Sequence, residues 1–100
     1  MDFQEARSKV GAGWYTVLDT RYRSLPAGGR ITEVSRVDGR LHVAASGVTA
    51  RYQERIRAAE AESGRTCEDC GNNGGRRRDL PDGEVLTLCD ACHLLRARRG

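Results

Sequence analysis

The sequence contains no apolar run long enough to span a bilayer. Its opening, MDFQEARSKV, lacks the basic and then apolar segments of a secretory signal. Hydrophobic residues of all kinds reach only 38%, aromatic residues 5%, and lysine occurs once, at Lys9. The first two absences lead us to expect a cytoplasmic chain with no membrane partner, in a compartment where disulfides rarely persist. The shortage of apolar residues leaves little material for a core. A chain of 100 residues buries roughly two-thirds of its unfolded surface, and a bound metal would help so lean a composition. With lysine nearly missing, the net charge of +3 rests on arginine. Arginine suits bidentate contact with phosphate or carboxylate, although arginine with frequent alanine and glycine is also what a GC-rich genome encodes.

What the sequence does have is four cysteines in two C-x-x-C pairs, Cys67 with Cys70 and Cys89 with Cys92, separated by residues 71–88. The second pair lies in CDACH, which alone is a signal for covalent haem attachment. That chemistry normally follows export, which the start of the chain gives no reason to expect. The spacing of the two pairs falls within the range of four-cysteine zinc sites. Two residues between cysteines let both thiolates turn toward one ion, and Zn²⁺ prefers four ligands in a tetrahedron. The expected metal ligands are therefore Cys67, Cys70, Cys89 and Cys92, with Zn²⁺ as the cofactor. A redox dithiol pair or an iron–sulfur cluster are the alternatives. Four thiolates leave no open position for water, so no catalysis is expected at the metal.

The remaining pattern predicts an α+β fold. Trp14, Val17, Leu18, Tyr22 and Leu25 recur at helical spacing, with Asp19, Arg21 and Arg23 largely on the other faces. Residues 30–46 read as a β-hairpin turning at Asp38-Gly39, with Leu41, Val43 and Ala45 on one face of its second strand. Val48, Tyr52, Ile56 and Ala59 mark a second helix ending near Gly64. We expect both helices to lie across one face of a two-stranded sheet. Residues 1–64 thus form an N-terminal helix–β-hairpin–helix unit. Residues 65–100 form a zinc module packed with it as one unit. In that module Gly71 permits a tight knuckle, and strands Arg76–Asp79 and Glu84–Leu88 make a hairpin. A helix opening at Asp90 supplies the last two ligands, and its apolar run of Ala91, Leu94, Leu95 and Ala97 argues against a plain zinc ribbon. Knuckle, hairpin and helix in that order make a treble clef.

Three resemblances bear on these residues. VLTLCDACHLLRARR resembles the end of HNH endonucleases. That likeness implies structural zinc on the cysteine pairs and places His93 where the family binds its catalytic ion. The family also needs a histidine in the hairpin to activate water. Residues 71–88 contain none and the other histidine is His42, so the scaffold carries over and the activity does not. His93 is expected to pack or cap instead, because adjacent helix residues point in different directions. CEDCG, Arg77-Arg78-Asp79 and LCDACH resemble a GATA-type zinc finger with a longer loop and no tryptophan in it. GWYTVLD, the glycine-centred hairpin, IRAAEAESGRTCEDCG and TLCDACH together resemble a group of small bacterial and phage zinc-finger proteins, which implies one integrated unit and no particular activity.

Two functions follow as expectations. The first is a non-catalytic zinc module that binds nucleic acid through Arg76, Arg77 and Arg78 on the hairpin and Arg96, Arg98 and Arg99 at the end of the last helix. The second is a protein-binding regulator or inhibitor of bacterial or phage origin, which suits a surface of nearly balanced charge. No small-molecule substrate and no acid–base or nucleophile arrangement is evident, so the chain is not expected to be an enzyme.

Overall fold

The computed structural model describes the backbone of residues 1–99 and the side chains of residues 1–98. The architecture is α+β, with helices, two small antiparallel hairpins and a C-terminal cluster of four cysteines. Helix α1 (Phe3–Arg7) is capped by the Asp2 carboxylate, which accepts from the Glu5 amide. A short 3₁₀ turn (Ala12–Trp14) leads into α2 (Tyr15–Arg23). Strands β1 (Arg30–Val37) and β2 (Arg40–Ser46) follow, then α3 (Ala50–Ser63), β3 (Arg76–Asp79), β4 (Val85–Leu88) and α4 (Asp90–Arg99).

The first hairpin turns where the sequence predicts, with Asp38 at φ 51° and Gly39 at φ 77°, the left-handed pair of a tight hairpin turn. The uneven alternation of β1 has a physical cause. Ile31 pairs with Ala45 and Glu33 with Ala44, so Thr32 is an extra residue in a bulge. The bulge brings Ile31 and Val34, three apart, into the same core. Leu18 of α2 and Tyr52 and Ile56 of α3 meet Ile31, Val34, Leu41 and Val43 there, with Trp14 fully buried among them.

Two details depart from the expected pattern. Val48 precedes α3, because Thr49 is the N-cap and its hydroxyl accepts from the Tyr52 amide; Val48 still packs against the core. As expected, the first sheet has two strands, and the second hairpin forms its own sheet of β3 and β4. Arg21, placed on a polar face by its spacing, is buried. Its guanidinium lies over the Tyr52 ring, 5.7 Å from the centroid.

Hydrogen bonds join residues before and after position 65. The Gly13 amide donates to the Glu68 carbonyl at 2.7 Å and the Trp14 indole to the Thr66 carbonyl at 2.9 Å. The Thr87 hydroxyl donates to the Gly39 carbonyl at the tip of the first hairpin. Among the described residues no helix is long and apolar enough to cross a membrane.

Candidate metal centre

The first cysteine pair sits on a knuckle closed by its own backbone. The Cys67 amide donates to the Asn72 carbonyl at 3.0 Å, and the Gly71 amide returns to the Cys67 carbonyl at 2.9 Å. Gly71 holds φ at +80°, a conformation that side chains disfavour. The Glu68 amide pairs with the Thr87 carbonyl, so the knuckle is laid against β4. The second pair comes from the end of that strand. Cys89 precedes α4 and its carbonyl accepts from the His93 amide at 2.9 Å, while Cys92 lies in the first helical turn. Both thiols therefore stand at a helix N-terminus, where the peptide dipoles favour negative charge.

The four sulfur atoms of Cys67, Cys70, Cys89 and Cys92 all lie within 4.8 Å of one another. The sulfurs of Cys70 and Cys89 are 3.7 Å apart, too far for a disulfide. A tetrahedron with Zn–S bonds of ~2.3 Å requires sulfur separations of about 3.8 Å, so the cluster has the size of a four-thiolate metal site. Cys67 is buried, Cys89 and Cys92 are half-buried, and Cys70 is exposed. Burial pushes the Cys67 thiol up, but the backbone amides of Cys89, Cys70 and Asp69 outweigh it and bring the pKa to about 7. The Asn72 amide draws the Cys70 thiol down, yet burial and neighbouring thiols leave it raised. Burial and the other three thiols raise Cys92 further. Four thiolates at this spacing repel one another, and a divalent cation is the partner that lets all four ionise together. Among the described residues this is the one group of three or more cysteine, histidine or acidic side chains placed to hold a metal.

The histidines lie outside it. The His42 Nδ1 is 3.5 Å from Glu60, whose carboxylate also accepts from the Val43 amide. His93 is half-buried on α4.

The arginines divide into two sets. Arg78 donates to Asp90 and to the Leu88 carbonyl, and this contact holds the Asp90 carboxyl below the usual carboxylate range. Arg96 makes two hydrogen bonds of 2.7 Å to the Asp69 carboxylate, strapping α4 to the knuckle across the cysteine cluster. These two are engaged inside the module. Arg77 lies 3.8 Å from Asp79 with both side chains exposed. Because strand residues alternate in direction, Arg77 projects from the face of β3 opposite Arg76 and Arg78. The side chains of Arg76 and Arg98 make no hydrogen bond or ion pair with described residues. The side chain of Arg99 lies outside the described residues.

Two residues that sequence reasoning did not single out support the knuckle. Glu68, between the first two cysteines, is 1% exposed. Its carboxylate accepts from the Thr87 amide at 2.7 Å and from Arg36 at 3.1 Å. Burial raises its pKa, and the amide and the guanidinium offset only part of that. Arg36 pairs with Leu41 on the core face of the first hairpin and reaches Glu84 as well, at 3.2 Å. Arg36 thus ties the N-terminal hairpin to both the knuckle and the residue that precedes β4. The acidic residue inside C-E-D-C was visible, but its partner lies 32 positions away and no local pattern indicates it. Comparison of the chain with protein-family models, curated proteins and solved structures finds no match.

Proposed function

We propose that residues 65–100 are a structural zinc module of the treble-clef kind, that the chain is not an enzyme, and that the module presents α4 to a protein partner. The observation that carries the metal reading is the sulfur cluster, whose four ligand atoms lie within 4.8 Å of one another. Zinc is favoured over harder cations by an all-thiolate donor set, and its shell is closed by four sulfurs. Neither His42 nor His93 belongs to the ligand group.

What supports the protein reading is the surface of α4. Leu94 and Leu95 are 56% and 53% exposed, side by side on a helix whose Arg96 is tied back to Asp69. An exposed apolar pair beside the cation Arg98 suits an apolar groove with an acidic rim on the partner. The nucleic-acid reading keeps Arg76, Arg77 and Arg98 as its candidates among the described side chains. Arg78 and Arg96 would first have to leave their carboxylates.

One paired experiment separates the readings. Binding of the protein to random duplex DNA is titrated with salt. Partners recovered from a bacterial extract are compared for wild type, Leu94→Asp/Leu95→Asp and Arg76→Ala/Arg77→Ala/Arg98→Ala. A partner protein lost only with the leucine variant, and no duplex binding at moderate salt, is the expected outcome. A log–log salt slope of about −3, flattened by the arginine variant, would replace it with the nucleic-acid reading.

A further inference from the structure

The groove between α2 and α3 contains a charge that the fold leaves unsatisfied. Thr16, Thr20 and Arg21 face Arg55, Ala59 and Glu62 across a cleft of about 310 Å³. Arg21 is only 8% exposed, and its Nη1 is buried with no hydrogen-bond acceptor among the described residues. The Tyr52 ring 5.7 Å from the guanidinium carbon offers its π-face to the cation. It does not accept the in-plane N–H bonds. A buried charged donor without an acceptor is among the costlier defects in a native fold. In this small protein Nη1 is the one buried side-chain nitrogen or oxygen, among the described residues, in that state.

Nη1 itself is closed off from the cleft, but the other guanidinium nitrogens of Arg21 also make no hydrogen bond to described residues, and through them a ligand in the cleft would reach the charge. Arg55 projects into the same cleft from α3 and makes no ion pair with described residues. The Thr16 hydroxyl is likewise without a hydrogen bond to described residues. The Thr20 hydroxyl is spent on the Thr16 carbonyl at 3.0 Å. Two arginines and one free hydroxyl line the cleft, with Glu62 its one carboxylate. The balance is cationic and rich in donors. We propose that this groove is a binding site for a small oxyanion, a carboxylate or phosphate group held between Arg21 and Arg55. The planar fork of a guanidinium matches both groups. Glu62 tempers the site by competing for the same cations. The groove is separate from the cysteine cluster, and its occupancy does not depend on the function proposed above.

The test titrates the full-length, metal-loaded chain with inorganic phosphate and, separately, acetate. Chloride holds the ionic strength constant, and backbone amide resonances report binding. Saturable shifts confined to residues 16–21 and 55–62 are expected, and the tighter of the two anions identifies the preferred group. Arg55→Gln, at an exposed position, should weaken binding about tenfold, and Glu62→Gln should strengthen it. Non-saturable shifts, or equal affinity in Arg55→Gln, would overturn the proposal. So would a Glu62→Gln variant that melts earlier than wild type while no anion binds either protein, since Glu62 would then be the missing partner of Arg21.

Discussion

The indole nitrogen of Trp14 donates to the carbonyl oxygen of Thr66 across 2.9 Å, in a fully buried contact. Thr66 immediately precedes the first cysteine of the cluster, so the single tryptophan of the chain touches the base of the cysteine knuckle. Trp14 also belongs to the N-terminal core. Its fluorescence should therefore report on the metal. A chelator should shift Trp14 emission to longer wavelength in step with metal release. Trp14→Phe keeps most of the apolar volume but leaves a buried carbonyl unpaired, at a cost of about 1–3 kcal/mol. A drop in melting temperature of at least about 4 °C follows for a domain of this size. Emission that ignores metal removal would show that the knuckle and the first core are independent.

The sulfur cluster sets the next expectation. Native protein should carry one zinc per chain. Structural zinc supplies on the order of 10 kcal/mol of apparent folding free energy at neutral pH, more than a lean domain holds in reserve. Cys89→Ser should unfold at least residues 65–100. Because the thiolates must be deprotonated to bind, metal affinity should fall as pH drops below neutrality. His93→Ala should leave the zinc content intact, and no DNA cleavage should appear with Mg²⁺, Mn²⁺ or Ni²⁺. Elemental analysis showing iron, or a Cys89→Ser protein with unchanged melting, is the contrary result.

Much of this arrangement was legible because its signals are local. Two C-x-x-C pairs, the Asp38-Gly39 turn and the stripe of Tyr52, Ile56 and Ala59 each depend on residues a few positions apart, where spacing fixes geometry. What escaped depends on long-range placement. The Thr32 bulge is set by pairing with β2, and no pattern within β1 requires it. Arg21 shares its spacing with solvent-facing residues and is drawn inward by the Tyr52 ring. The spacing of the arginines in the sequence does not tell which of them are engaged inside the module. Strand alternation sends Arg77 away from its neighbours, while Asp69 and Asp90, distant in sequence, neutralise Arg96 and Arg78.

Tyr52 makes stability depend on alkaline pH. Its hydroxyl donates to the Arg21 carbonyl at 2.6 Å in the core. Burial raises its pKa above the usual phenol value, and Arg21 draws it back only in part. Because the folded value lies above the unfolded one, the contribution is complete below about pH 10. It is lost as pH climbs through the folded value. Tyr22 is raised as well, chiefly by burial and then by Asp2, and acts in the same direction. Tyr52→Phe should cost about 1 kcal/mol at neutral pH and should lose stability less steeply above pH ~10. Denaturant melts across that range check it, and identical slopes for the two proteins would refute the assignment.

Gly13 offers the sharpest test of how closely the N-terminal segment meets the metal knuckle. Its amide donates to the Glu68 carbonyl at 2.7 Å. A Cβ added there would lie 1.9 Å from the Cys67 carbonyl oxygen and 2.7 Å from the Gly71 nitrogen. Both neighbours are backbone atoms of the knuckle, so no side-chain rotation relieves the clash. Either the 3₁₀ turn withdraws and gives up the Trp14–Thr66 hydrogen bond, or the knuckle moves and disturbs the Cys67 sulfur. Gly13→Ala should therefore destabilise the chain by about 3 kcal/mol, the upper end for forced overpacking, and should also loosen the metal. Ala12→Ser, one residue earlier and exposed, should stay within about 0.5 kcal/mol of wild type. Measured together, thermal melting and the rate of zinc transfer to a competing chelator give a two-part readout. A Gly13→Ala protein that melts early but holds zinc as tightly as wild type would place the yielding at the 3₁₀ turn. Wild-type behaviour in both would mean that the close contact between the Gly13 backbone and the knuckle does not hold in solution.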